Sequence, residues 1–300
     1  MQSRLPRFNR ASTVAPMQLT ERDREIIRLV HRHRFLRSPH IVALIGGSQQ
    51  QVLRRLHLLY HHGFLERPRT QIDSYYKIGS RPIAYGLGNK GGMLLRQEFG
   101  VNPREISWSE KNSSVGRTFL EHALFVSDVM VAIELACRAR GIRLVAEHEL
   151  AIPAQRQPLR WRVTIQGGTK LGVIPDRVFA LELPDASGVT QRVHFFLEAD
   201  RGTMPVTRKT LSQTSFARKL RAYEATWAQK IHQRNLCIQR FRVLTVTTSA
   251  ARVKSLVDAC TQLKRGHGLF LFADRTILSG DMLSAVWQSG KPGQIGSFLD

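Results

Sequence analysis

Cysteine is scarce in this 300-residue chain: Cys137, Cys237 and Cys260 lie far apart, with no CxxC spacing. Three such thiols suggest neither a disulfide framework nor a zinc site, so a reducing cytoplasm is the expected compartment. No run of about 18 apolar residues occurs, which argues against a membrane-spanning helix. The first 17 residues carry Arg4, Arg7, Arg10, Pro6 and Pro16 without an apolar segment, so they read as a flexible basic arm rather than a secretory signal. No Gly-x-Ser-x-Gly is present, and Gly86-x-Gly88 with Gly91-Gly92 makes neither a dinucleotide fingerprint nor a phosphate loop. Serine-nucleophile hydrolysis and nucleotide hydrolysis therefore find no support.

Acidic residues are also few. Asp and Glu number 23 against 45 Lys and Arg, a net charge of +22. An excess this large favours a polyanionic partner. No basic amphipathic helix with a bulky aromatic face stands out, so a membrane surface is not the expected polyanion. The first 100 residues hold 17 basic against 6 acidic side chains and are the densest in positive charge.

Local signals divide the chain. Thr20 can cap a helix over residues 20–33, with Asp23 at the reciprocal capping position. Pro39 can open a second helix that ends at Gly46-Gly47. Ser48 can cap a third, running to about His62 and closed by Gly63. On that third helix Val52, Leu53, Leu56, Leu59 and Tyr60 share one face. Gln50, Gln51, Arg54, Arg55, His61 and His62 share the other. Amide and guanidinium groups are those that bond base edges in a major groove. Short apolar runs at 75–78 and 83–87 suggest a hairpin, with Lys77 and Arg81 near its tip to grip phosphates. A fourth helix is expected over 93–99. Three helices and a basic hairpin over 18–100 form a winged helix-turn-helix.

Residues 101–115 are polar and read as a linker. Beyond them the pattern predicts a helix over 116–140, strands over 143–150, 171–183 and 192–198, and a helix over 211–233. A strand at 241–246, a helix at 250–263 and a strand at 269–272 complete a mixed α/β (α+β) layer fold, whose last two strands should run parallel.

Acids mark the ends of the inner strands. Glu198 and Asp200 close the apolar run 193–197, and alternation along a strand places both on one side. Asp176 ends another apolar run just upstream. Buried carboxylates need a cation, and three on neighbouring strand ends suit a divalent ion such as Mg²⁺ or Mn²⁺. Glu147 and Glu149 read as a solvated strand face, His122 as a core histidine and Tyr223 as packing.

Several of these pieces resemble the replication-relaxation proteins of plasmids and other mobile elements. They are Leu19-Thr20-Glu21-Arg22-Asp23-Arg24-Glu25-Ile26-Ile27, Arg55-Leu56 with Gly63-Phe64-Leu65, Pro175-Asp176, Leu197-Glu198-Ala199-Asp200-Arg201-Gly202-Thr203, and Lys219-Leu220 with Tyr223. The resemblance covers roughly residues 18–290 and implies a winged helix followed, over 116–300, by a restriction-endonuclease-like domain of the PD-(D/E)xK kind. Carried onto this chain, Asp176 is the first acid and Glu198 the second. Where that pattern asks for Lys this chain has Asp200, and Lys219 on the following helix is the available substitute. The resemblance implies a protein that binds double-stranded DNA in the replication, maintenance or transfer of a mobile element, alongside other replication, transfer or transposition proteins. It leaves open a metal-dependent endonuclease using Asp176, Glu198, Asp200 and Lys219, a regulator whose second domain binds protein, and a homodimer.

Overall fold

The computed structural model describes residues 7–14, 16–72, 82–100, 108–150, 152, 159–165, 167–184, 188–210 and 213–299. The chain divides into two compact units between Val131 and Ala132. The architecture is α+β, with a mainly helical amino-terminal unit followed by a sheet-rich one.

In the first unit α1 (Glu21–His33), α2 (Ser38–Ile45) and α3 (Gln49–His61) form where their caps direct them. The Thr20 hydroxyl accepts from the Asp23 amide, and the Asp23 carboxylate accepts from the Thr20 amide at 2.7 Å. The Ser48 hydroxyl accepts from the Gln51 amide. Strands β1 (Phe35–Arg37), β2 (Leu65–Glu66) and β3 (Ala84–Leu87) make an antiparallel sheet in the order β1-β3-β2. Ile26, Ile27, Val30, Phe35, Leu36, Ile41, Val52, Leu56 and Leu59 are fully buried. Two assignments on α3 change places: Leu53 is 39% exposed, whereas His61 is buried. His61 sits edge-on to Tyr60 and His57, and its Nδ1 accepts from the Ala11 amide.

Helix α4 (Asn89–Phe99) follows the sheet. A Cβ on Gly91 would stand 2.3 Å from the Phe64 carbonyl oxygen, so this glycine permits close helix packing. Within the expected linker, α5 (Trp108–Ser113) forms. Its polar composition hides how it is fastened. Asn112 is fully buried and donates to the Leu87 carbonyl, while Asn89 and Ser109 exchange two hydrogen bonds. The basic arm is also partly held. Arg10 donates to the Tyr60 and Leu65 carbonyls and to Glu66, and buried Arg67 donates to the Arg7 carbonyl. Helix α6 (Arg117–Ala139) begins in this unit, where Leu120 and Leu124 pack with Phe35 and Ala84.

In the second unit β4 (Arg143–Ala146), β7 (Arg177–Pro184), β8 (Thr190–Ala199), β9 (Phe241–Thr247), β10 (Phe270–Asp274), β11 (Trp287–Ser289) and β12 (Ile295–Gly296) form one seven-stranded sheet. Its order is β12-β11-β10-β9-β8-β7-β4, with β8, β9 and β10 mutually parallel and the other pairs antiparallel. A separate hairpin joins β5 (Trp161–Thr164) to β6 (Lys170–Val173). The helix expected over 211–233 is two, α7 (Phe216–Ala228) and α8 (Ile231–Arg234), broken at Lys230, whose φ is +54°. Helix α9 (Ala250–Thr261) connects β9 to β10. One buried layer joins Val178, Ala180, Phe196, Val243 and Phe272 of the sheet to Phe216, Leu220, Tyr223, Val253 and Leu256 of α7 and α9. Phe179, Phe195, Trp287 and Phe298 form an aromatic cluster of their own. The strand expected through residue 150 stops at Ala146. Glu149 caps the Ala146 amide and Glu147 accepts from Leu159, so these acids make local turns instead of lining a strand.

Candidate functional site

Gln50, Gln51 and Arg54 are exposed on the first two turns of α3. Among the described residues the Arg54 guanidinium makes no hydrogen bond or ion pair. Arg55 is different. Its Nε donates to Asp23 Oδ1 at 2.8 Å, and its Nη2 donates to Asp23 Oδ2 and to the Gln18 carbonyl. Asp23 is fully buried. Burial would raise its pKa, but hydrogen bonds from Arg55 and Thr20 outweigh that and hold it below the usual carboxylate range. The helical wheel placed Arg55 beside Arg54 because it could not register a buried acid on the neighbouring helix. Lys77 and Arg81 lie outside the described residues.

The acids converge at the carboxyl end of β8. Asp176 precedes β7, its amide donating to the Leu197 carbonyl and its Oδ2 accepting from the Ala199 amide at 2.8 Å, so it brackets Glu198. Glu198 is 2% exposed and points toward α7. Its Oε2 accepts from Lys219 Nζ at 2.5 Å and its Oε1 from the Tyr223 hydroxyl at 2.6 Å. Asp200, on the same side of the sheet, serves α9. It accepts from Arg252 Nε at 2.8 Å, from Thr247 Oγ1 at 2.7 Å and from the Gly202 amide at 3.2 Å. Arg252 also donates to the Met204 carbonyl at 2.5 Å.

Burial pushes the Glu198 carboxyl up to about 7. The Lys219 ammonium opposes this shift and the nearby Asp176 charge adds to it. Burial works against the Lys219 charge, yet Glu198, Asp176 and Asp200 together keep its pKa above the ordinary value. Burial, with Glu198 and then Asp176, raises the Tyr223 hydroxyl well above its usual range. Tyr223 is accordingly held as a neutral hydrogen-bond donor to Glu198.

These residues do not fit a divalent ion as they stand. Both Glu198 oxygens and both Asp200 oxygens already accept protein hydrogens, and Asp176 Oδ2 does the same. Two side-chain cations already balance the buried acids. Among the described residues no group of three or more His, Cys, Asp or Glu side chains is arranged to hold a metal. Lys219 stands beside Glu198.

Sequence reading missed Arg252, Thr247 and the polar role of Tyr223. The available signal was positional. Thr247 ends β9 as Asp200 ends β8, and Arg252 sits in the first turn of the next helix, where the Ser249 hydroxyl caps its amide. Tyr223 follows Lys219 by one turn and so faces the same way.

An exposed, amide- and guanidinium-bearing helix in one unit and a sealed acid cluster in the other define an α+β protein with a basic exterior. Residues 27–239 match the family model described as Replication-relaxation, and the chain belongs to the replication-relaxation family. Comparisons with curated proteins and with solved structures gave no match. No helix among the described residues is long and apolar enough to cross a membrane.

Proposed function

We propose that this chain is a double-stranded DNA-binding protein of a mobile element, acting in its replication, maintenance or transfer. Its first unit is then a winged helix with α3 as the reading helix. One observation carries the reading: Gln50, Gln51 and Arg54 stand exposed together at the start of a helix whose other face is packed. Bidentate amide and guanidinium contacts suit adenine and guanine edges, and the net charge of +22 supplies attraction to phosphate. Arg54→Ala is expected to weaken binding to a selected duplex by roughly five- to 150-fold at fixed salt, from ~1–3 kcal/mol per good base contact. Fluorescence anisotropy checks it, and an unchanged dissociation constant would remove α3 as the reader.

A cleaving role has in its favour the gathering of Asp176, Glu198 and Lys219 at one strand end. Against it stands the engagement of both Glu198 oxygens and of Asp176 Oδ2 by protein donors. Supercoiled plasmid incubated with the protein and Mg²⁺ or Mn²⁺ is expected to stay intact. Nicking that vanishes in Glu198→Ala would establish the enzyme.

A further inference from the structure

Of the three acids, Asp200 anchors the segment that leaves β8. After Asp200 the chain turns at Gly202, whose φ of +72° suits glycine and whose amide donates back to Asp200. Arg252 joins the two sides, gripping the Asp200 carboxylate and the Met204 carbonyl together. The Phe216 and Ala217 amides, in the first turn of α7, then donate to the Pro205 and Val206 carbonyls. Residues 200–206 are therefore fastened to the amino-terminal turns of both α7 and α9. The next four residues, Thr207, Arg208, Lys209 and Thr210, are all exposed. Among the described residues the Arg208 guanidinium and the Lys209 ammonium make no hydrogen bond or ion pair. The 201–210 segment contains no carboxylate.

We infer that the 201–210 segment is a second DNA contact, a phosphate-gripping surface in which Arg208 and Lys209 meet the duplex backbone and Arg252 is the positioning residue. The inference rests on the proposed DNA-binding role and extends it to the second unit. The chemistry fits a phosphodiester backbone. Two adjacent cations and two hydroxyls can bond phosphate oxygens without reading sequence. Residues 200–206, already fixed by Asp200, Arg252 and the first turn of α7, lose little conformational freedom on binding and limit the reach of the four exposed residues that follow. In this chain the Asp200–Arg252 ion pair holds the base of an anion-binding loop.

The test uses the full chain and one fixed duplex, with affinity measured across a salt series. Arg208→Ala with Lys209→Ala is expected to weaken binding and to lower the log–log salt slope by about 2, since each lost phosphate contact removes ~0.9. The melting temperature should not move. Arg252→Gln is expected to speed hydrogen exchange in 201–206 and to lower the slope by a similar amount. An unchanged slope and affinity in the Arg208/Lys209 double variant overturns the inference, whatever Arg252→Gln does to stability. Faster exchange in Arg252→Gln with an unchanged slope overturns the positioning role. The Arg54→Ala result keeps the two proposals separate. If only Arg54→Ala weakens binding, the α3 reading stands and this one falls. If only the Arg208/Lys209 variant does, the reverse holds.

Discussion

Two adjacent arginines on α3 do opposite work. Arg54 faces outward, while Arg55 neutralises Asp23, a fully buried acid that also caps α1. Removing one partner of such a pair leaves an uncompensated charge, which costs about 3–5 kcal/mol. Arg55→Ala is accordingly expected to lower stability by that amount in urea unfolding, and Arg54→Ala to leave it unchanged. Equal unfolding midpoints for the two variants would refute the distinction. His61 gives a pH-dependent counterpart. Burial, with the positive surroundings of His57, Arg67 and Arg10, pushes its pKa down to about 4 from 6.5. The folded state therefore prefers the neutral ring. Its contribution is complete above pH 6.5 and is lost as pH falls toward 4, with a slope up to about 1.4 kcal/mol per pH unit. Thermal melts from pH 7 to 4 should show a smaller loss for His61→Gln than for the parent chain. Parallel curves would exclude His61 as a source.

At the scale of elements, the parts with strong local chemistry were legible. Thr20 with Asp23, Pro39, Gly46-Gly47, Ser48 and Gly63 set five boundaries of three helices to within a residue or two, because caps and breakers act over one turn. The parallel β9–β10 pair followed from a strand–helix–strand pattern. Elements held by distant partners were not legible. The strand β1 is three residues long and exists because Phe35 to Arg37 pair with β3, about fifty residues away. Helix α5 is polar and is anchored by Asn112 to the Leu87 carbonyl. The arm reads as flexible until Arg10 meets Glu66. At the acid cluster the three carboxylates and Lys219 were found from strand ends and from the family resemblance. Arg252 was not, since only the parallel neighbour strand brings it there. The arm carries its own test. Glu66→Ala removes its main ionic anchor and should speed amide exchange at Ala11, and an unaltered exchange rate would mean that the arm's other hydrogen bonds, from Arg10, Arg67 and the Ala11 amide, suffice to hold it.

For the whole molecule the dominant quantity is charge. On the proposed DNA-binding role, a net +22 predicts a strongly salt-dependent association, with the affinity of the parent chain falling steeply between 50 and 200 mM salt. A flat salt response would be incompatible with phosphate contacts of any kind. The buried carboxylates do not weaken this exterior, because Lys219 and Arg252 answer them from within. The Asp23–Arg55 pair has a consequence of its own. It separates the side chains that hold α3 in place from those that face outward, although they are neighbours in sequence. The side chains at positions 50, 51 and 54 face away from the foundation beneath them, so a library randomised there should yield folded proteins on an unaltered scaffold and, on the proposed reading role of α3, new target preferences.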